Sequence, residues 1–174
     1  MRLDMSGDGF KLYELDSESE LQEYVSYNDG ITIGKEIQTK NKFYIVEFLT
    51  AYEKKVIGIL NEGHGLRPII IKLGNKNEFV LSSDKSVYLF EFYENRLKKS
   101  IICESLVFDI MLERNIFIVC ELGIQCMTHT GKIIWTYNCD VITDFTFYDS
   151  YVRVVTGETE HLISLESGKE IKLM

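Results

Sequence analysis

Residues 106–138, LVFDIMLERNIFIVCELGIQCMTHTGKIIWTYN, and residues 141–173, VITDFTFYDSYVRVVTGETEHLISLESGKEIKL, read as one strand-rich unit written twice. Asp109 matches Asp144, Asn115 matches Ser150, Phe117 and Val119 match Val152 and Val154, and Gly131-Lys132 matches Gly168-Lys169. The period is about 36 residues, in the range of units that bury a core only by stacking on their neighbours.

Upstream of the repeat the pattern is strand after strand. Residues 31–37, 43–50, 55–60, 68–73, 78–82, 87–92 and 97–103 are rich in β-branched and aromatic side chains. Gly74-Asn75-Lys76-Asn77, Ser83-Asp84-Lys85 and Glu94-Asn95 supply turn chemistry between them. The lone proline, Pro68, opens a strand, where its missing N–H does least harm. Residues 10–15 form another short strand. Ser17-Glu18-Ser19-Glu20 then has the form of a capping box, with Leu21, Tyr24 and Val25 following at helical spacing. Asn28-Asp29-Gly30 ends this helix, Gly30 being expected to supply the positive φ. Residues 1–9 read as a flexible terminal turn. Their Asp4, Ser6, Asp8 and Gly9 have the residue types of a calcium loop, but the position that needs a glutamate is Leu15.

The 174-residue chain is long enough for one well-buried core, and a single domain over 1–174 is expected. No apolar run is long enough to span a bilayer, and the N-terminus carries acids where a signal peptide needs bases. The expectation is a soluble, cytoplasmic protein with four reduced cysteines that pack as small hydrophobes. Cys120 and Cys126 lie too far apart for zinc-site spacing, so no metal or other cofactor is expected. The net charge of −8 divides into −6 over residues 1–29, +4 over 30–100 and −6 over 101–174. An acidic chain does not track a phosphate backbone, so direct nucleic-acid binding is not expected. The acidic ends point towards a basic partner.

Thr130-Gly131-Lys132-Ile133-Ile134-Trp135 and Glu166-Ser167-Gly168-Lys169-Glu170-Ile171 resemble the strand–turn–strand of WD-type and quinoprotein-type propellers. There a small residue plus Gly-Lys turns between the third and fourth strands of a blade. The resemblance covers residues 68–174, and more faintly 31–66. No Gly-His and Trp-Asp pairs stand at WD positions and no quinone ligands carry over, so it implies architecture and no activity. The fold expected is all-β with one short N-terminal helix. Its antiparallel, four-stranded, blade-like repeats form a small or open propeller-like arc, with a curved β-sandwich as the alternative. About four repeats fit into 31–174, leaving 1–30 as a strand-and-helix cap, or a second copy to complete a ring.

The catalytic inventory is thin. His64, His129 and His161 sit in different segments without metal-ligand spacing, and His129 and His161 read as solvent-facing residues near strand tips. Asn61-Glu62-Gly63-His64-Gly65 lacks the third glycine and following helix of a nucleotide fingerprint. Cys126 and His129 are near in sequence but lack an orienting third group. Asp109 and Asp144 could be paired carboxylates, yet a residue that returns with the repeat is expected to serve a turn or the backbone. What remains is surface recognition. Asp144, Tyr148, Asp149, Tyr151, Glu158 and Glu160 place acids and large aromatics at predicted turns of the most acidic third. Acids steer a basic protein and aromatics anchor it.

A small, acidic, single-domain protein without catalytic residues is similar in character to the immunity proteins of bacterial toxin systems, including contact-dependent growth inhibition. That likeness implies a non-enzymatic protein that masks the active site of a cognate basic, nuclease-like toxin domain. Two other readings stand beside it: a structural propeller module that self-assembles, for instance as a homodimer, or scaffolds a larger complex, and a hydrolase with an unrecognised site. A buried His–carboxylate pair would favour the last.

Overall fold

The computed structural model describes all residues except 8, 36, 50–52, 75–77, 93–95 and 172–174. The chain forms two compact units, residues 1–100 and 101–174. Strands dominate, with one short helix and four sheets of three to five strands among the described residues.

The first unit opens with β1 (Arg2–Gly7), β2 (Phe10–Leu15), α1 (Glu18–Tyr27), β3 (Ile31–Ile33), β4 (Lys42–Leu49) and β5 (Lys54–Asn61). These strands make one sheet in the order β1-β2-β4-β5-β3. All its pairings are antiparallel except β3 with β5, which is parallel. Segment 1–9, expected as a loose turn, is therefore mostly an edge strand on β2. Its polar residues hid the alternation, and its backbone is fixed by pairing rather than by burial. The strand expected over 31–37 stops at Ile33. From β2 the chain crosses to the far edge of the sheet through α1, which packs on β4 and β5. This crossover gives β3 the same direction as β5.

Alternation along β4 and β5 sorts side chains between two covers. Ile45, Val56 and Leu60 pack with Leu15 and the helix residues Leu21 and Val25. Tyr44, Val46, Phe48, Ile57 and Ile59 face the other way, onto the second sheet. That sheet comprises β6 (Ile69–Lys72), β7 (Glu78–Ser83), β8 (Ser86–Glu91) and β9 (Arg96–Ile102), in sequence order. Phe48 meets Phe79 at 4.2 Å and Phe90 at 5.7 Å between ring centroids. The turn readings at residues 75–77 and 94–95 lie outside the described residues.

Helix α1 starts as its sequence predicts, Ser17 Oγ accepting from the Glu20 amide at 3.2 Å. Glu20, however, reaches back to the Asp16 amide at 3.1 Å and not to that of Ser17. At the far end Asp29, not Gly30, takes the positive φ, at 49°. Gly30 is needed for room, since a Cβ there would stand 2.6 Å from the Val56 carbonyl oxygen. Gly58 serves the same purpose beneath the helix. A Cβ on it would lie 2.7 Å from Val25 Cγ2 and 2.9 Å from Leu21 Cδ2.

A polar clamp also holds the helix. Glu47 is almost fully buried on the helix face of β4. It accepts from Tyr24 Oη at 2.5 Å and from Lys54 Nζ at 3.0 Å, and Lys54 lies 5.4 Å from the Tyr24 ring centroid. Burial pushes the Glu47 pKa up, but the bonds from Tyr24 and Lys54 and the Lys54 charge outweigh it, so the group titrates below the ordinary glutamate value.

Two predictions follow from this packing. Gly58→Val should cost about 1–3 kcal/mol in urea unfolding by overpacking the helix contact, and Leu21→Ala about 2–5 by leaving a cavity. Because Glu47 stays ionised to lower pH when folded than when unfolded, its contribution is full above the unfolded value of about 4.3 and fades as pH falls through the folded pKa. The acid limb of a stability–pH curve should therefore be shallower in Glu47→Gln than in the wild type.

Candidate partner-binding surface

The second unit contains both sequence copies. The first copy is a sheet of β10 (Val107–Leu112), β11 (Ile116–Cys120), β12 (Gly123–Met127) and β13 (Ile133–Asn138). The second is a sheet of β14 (Ile142–Phe147), β15 (Tyr151–Thr156) and β16 (Thr159–Ser164), with Glu170 bridging to Ile163 where a fourth strand would lie.

Asp109 and Asp144 hold the same structural place. Each follows a one-residue irregularity in the first strand pair, between Val107 and Asp109 and between Ile142 and Asp144. Their side chains differ in use: Asp109 Oδ1 accepts from the Ile110 amide at 2.8 Å, and Asp144 pairs with Arg153 at 3.2 Å. The recurring acid marks a bulge, where the extra residue increases local twist.

The Gly-Lys turns also match. Gly131 and Gly168 take φ of 78° and 66°. Thr128 bonds the Gly131 amide and the Lys132 carbonyl through its backbone, and Ser164 does the same for Gly168 and Lys169, all at 2.9 Å. Gly168 has a second duty. A Cβ there would sit 2.5–2.7 Å from ring atoms of Trp135, whose Nε1 donates to the Leu165 carbonyl at 3.2 Å. The ring of one copy thus lies on the turn of the other, over a core of Val119, Ile124, Ile142, Val152, Val154 and Ile163.

The six residues expected to form one recognition cluster are spread over the last sheet. Tyr148 and Asp149 occupy the β14–β15 turn, and Tyr148 stacks on Tyr151 at 4.6 Å between centroids and 21° between planes. Glu158 stands in the β15–β16 turn, at the other end of β15, about 20 Å along a six-residue strand. Asp144 and Glu160 lie between these ends on the flanking strands. A residue absent from the sequence-based set ties them together: Arg153 reaches Asp144 at 3.2 Å and Glu160 at 2.8 Å. Its period-2 position beside Tyr151 and Val155 was the available signal. This outward face also carries Thr146, Val155 and Leu162 by register.

His161 is not a tip residue. It sits within β16, paired with Val154 and so on the inner face. Nδ1 lies 3.0 Å from Glu170 Oε1 and Nε2 lies 3.3 Å from Thr156 Oγ1. Because a carboxylate only accepts, Nδ1 carries a proton towards Glu170, and Nε2 and the Thr156 hydroxyl share the second hydrogen bond. A hydroxyl–imidazole–carboxylate chain results, and its Thr156 and His161 line an open cleft of about 380 Å³ with Tyr137, Asn138, Cys139 and Asp140. The Glu170 side chain is about half exposed, so this is not the buried pair that would favour a hydrolase. His64 pairs with Glu62 at 2.5 Å, on the surface.

Burial pushes Cys126 up to about 11, and burial and nearby Asp140 raise Cys139. The interaction with Cys103 and then burial raise Cys120, while Cys103 is correspondingly lowered by its neighbour. All four cysteines are free, and three are fully buried. No group of three or more His, Cys, Asp or Glu that could hold a metal ion occurs among the described residues. Nor is any helix there long and apolar enough to cross a membrane.

No protein-family profile matches the chain, and no curated protein does. Among solved structures it is similar to the Pan2 WD40 domain of Neurospora crassa, with a TM-score of 0.51 and 11% identity over 63% of this chain and 38% of that one. A fainter likeness is to Hsv2 of Kluyvelomyces marxianus, with a TM-score of 0.49, 12% identity, and coverage of 75% and 45%. The chain spans less than half the length of either. The first likeness bears out the propeller-type sheets expected from the Gly-Lys turns.

The Trp135–Gly168 contact makes a paired prediction. Gly157 has nearly the same φ, 60°, but open space around its Cβ position. Gly157→Ala should cost only the backbone penalty of about 1–2 kcal/mol. Gly168→Ala should add about 1–3 more by collision with the ring. Urea unfolding followed by the emission of Trp135, the sole tryptophan, reads both.

Proposed function

We propose that the protein is a propeller-type interaction module that works by docking other macromolecules rather than by catalysis. The observation that supports this reading is the contrast between sheets. Strands such as β11 are buried on both faces. The last sheet is buried on one face only, and its outward face presents the Asp144–Arg153–Glu160 ion cluster beside Tyr151, with Tyr148 and Glu158 in the turns. A polar outer face on a repeat leaves it free to bind.

The finer reading concerns the partner. Residues 101–174 carry −6, which suits a basic protein surface, with stacked Tyr148 and Tyr151 as the anchor. Neutralising a basic toxin domain, in the manner of an immunity protein, is one role such a surface would serve. Self-assembly is the competing use of the same face.

Light scattering separates the two. A monomer at tens of micromolar leaves the face for another partner, whereas a stable dimer broken by Tyr151→Ala assigns it to a second copy. For the basic partner, retention on an immobilised cationic protein should fall steeply between low and physiological salt and fall further in the Tyr148→Ala, Tyr151→Ala double variant. Retention that ignores salt would sink the electrostatic reading. The Thr156–His161–Glu170 chain provides a check on the non-catalytic claim: p-nitrophenyl acetate should be hydrolysed no faster by the wild type than by His161→Gln.

A further inference from the structure

The cleft beside β13 is distinct from the outward face of the last sheet, and its chemistry is selective. Its walls are Tyr137, Asn138, Cys139, Asp140, Thr156 and His161, without a lysine or arginine. An anionic ligand would find no countercharge there. A metal ion would find too few donors, since both nitrogens of His161 are engaged. Asp140 is exposed and has no ion pair among the described residues. Glu170 holds a second negative charge behind His161. The rings of Tyr137 and His161 lie 6.2 Å apart and form an aromatic wall. Burial and then the charge of Glu170 raise the Tyr137 phenol pKa.

We propose that this cleft receives one arginine side chain from the partner, its guanidinium over the Tyr137 ring and forked onto the Asp140 carboxylate. A planar cation stacks on an aromatic face and donates in parallel pairs to a carboxylate, which an ammonium cannot match. The amide oxygen of Asn138 is a further acceptor for its remaining N–H groups. The volume, about 380 Å³, lies at the small end of ligand sites and suits one side chain rather than an extended peptide. His161 acts as a positioning residue. Glu170 and Thr156 hold its ring in place as part of the wall facing the cation.

This inference rests on the reading of the second unit as a docking surface for a basic protein. The probe is Nα-acetyl-arginine methylamide, titrated into the full chain and followed by amide chemical shifts, with the citrulline and lysine analogues as controls. The arginine probe should saturate in the millimolar range and move the resonances of residues 137–140, 156 and 161. Citrulline should not bind, and lysine should bind several-fold more weakly. Asp140→Asn, an exposed change compatible with folding, should weaken arginine about tenfold, while Glu113→Gln on another turn should leave it unchanged. Equal binding of citrulline, no saturable shift in the wild type, or an unaffected Asp140→Asn would each overturn the proposal. If cationic proteins are retained but the probe does not bind, the cleft assignment fails and the wider reading stands. If the probe binds as described and no cationic protein is retained, the wider reading fails and the cleft remains an arginine site.

Discussion

Interior strands with two apolar faces impose the governing constraint on this chain. β4, β5, β7, β8 and β11 each bury side chains of both parities. No sheet made of such strands is stable alone in water, because each face exposed forfeits roughly 25 cal/mol per Å² of apolar surface. The first unit meets the demand with three layers: helix α1, the five-stranded sheet and the four-stranded sheet. The second unit packs its two repeat sheets on each other through Val119, Ile124, Val152, Val154 and Ile163. Helix, turn glycines and polar clamps make sense as devices that let these covers approach.

The glycines show how narrow that approach is. Gly58 admits the helix to its sheet, and Gly168 admits Trp135 to the second Gly-Lys turn. Neither contact is visible as a motif, since the fitting partner lies on another element. Glu47 is a third device of this kind. A carboxylate in the middle of an apolar strand looks like an error in the pattern until Tyr24 and Lys54 supply its hydrogen bonds.

Local periodicity explains what the sequence revealed and what it hid. The repeat of Asp109 and Asp144 and of the two Gly-Lys turns led directly to equivalent bulges and equivalent turn hydrogen bonds. The helix was legible because its capping residues are local. Strand β1 was not, because an edge strand needs only one partner and its residues alternate poorly in polarity. The direction of β3 was hidden as well, since it depends on where the helix crosses. For the proposed recognition surface, acids and tyrosines were visible as composition, but their separation along β15 and the pairing of Asp144 and Glu160 with Arg153 required the register. His161 was misplaced for the same reason: a strand residue's face is set by what it pairs with.

Arg153 changes what the acidic surface can do. Two of its six sequence-nominated residues, Asp144 and Glu160, already share one cation. A partner's base could engage either only by competing with an arginine held in place by two carboxylates. Their long-range field persists, but it is reduced by one charge, so they contribute more to the shape and rigidity of the face than to its pull. The carboxylates without such a neighbour among the described residues, Asp149 and Glu158 in the turns and Asp140 in the cleft, are exposed. They are where an incoming cation gains a new ion pair rather than exchanging an old one. Charge counted along a sequence therefore overstates the attraction of strand faces and understates that of turns, because cross-strand pairing neutralises the first and leaves the second open.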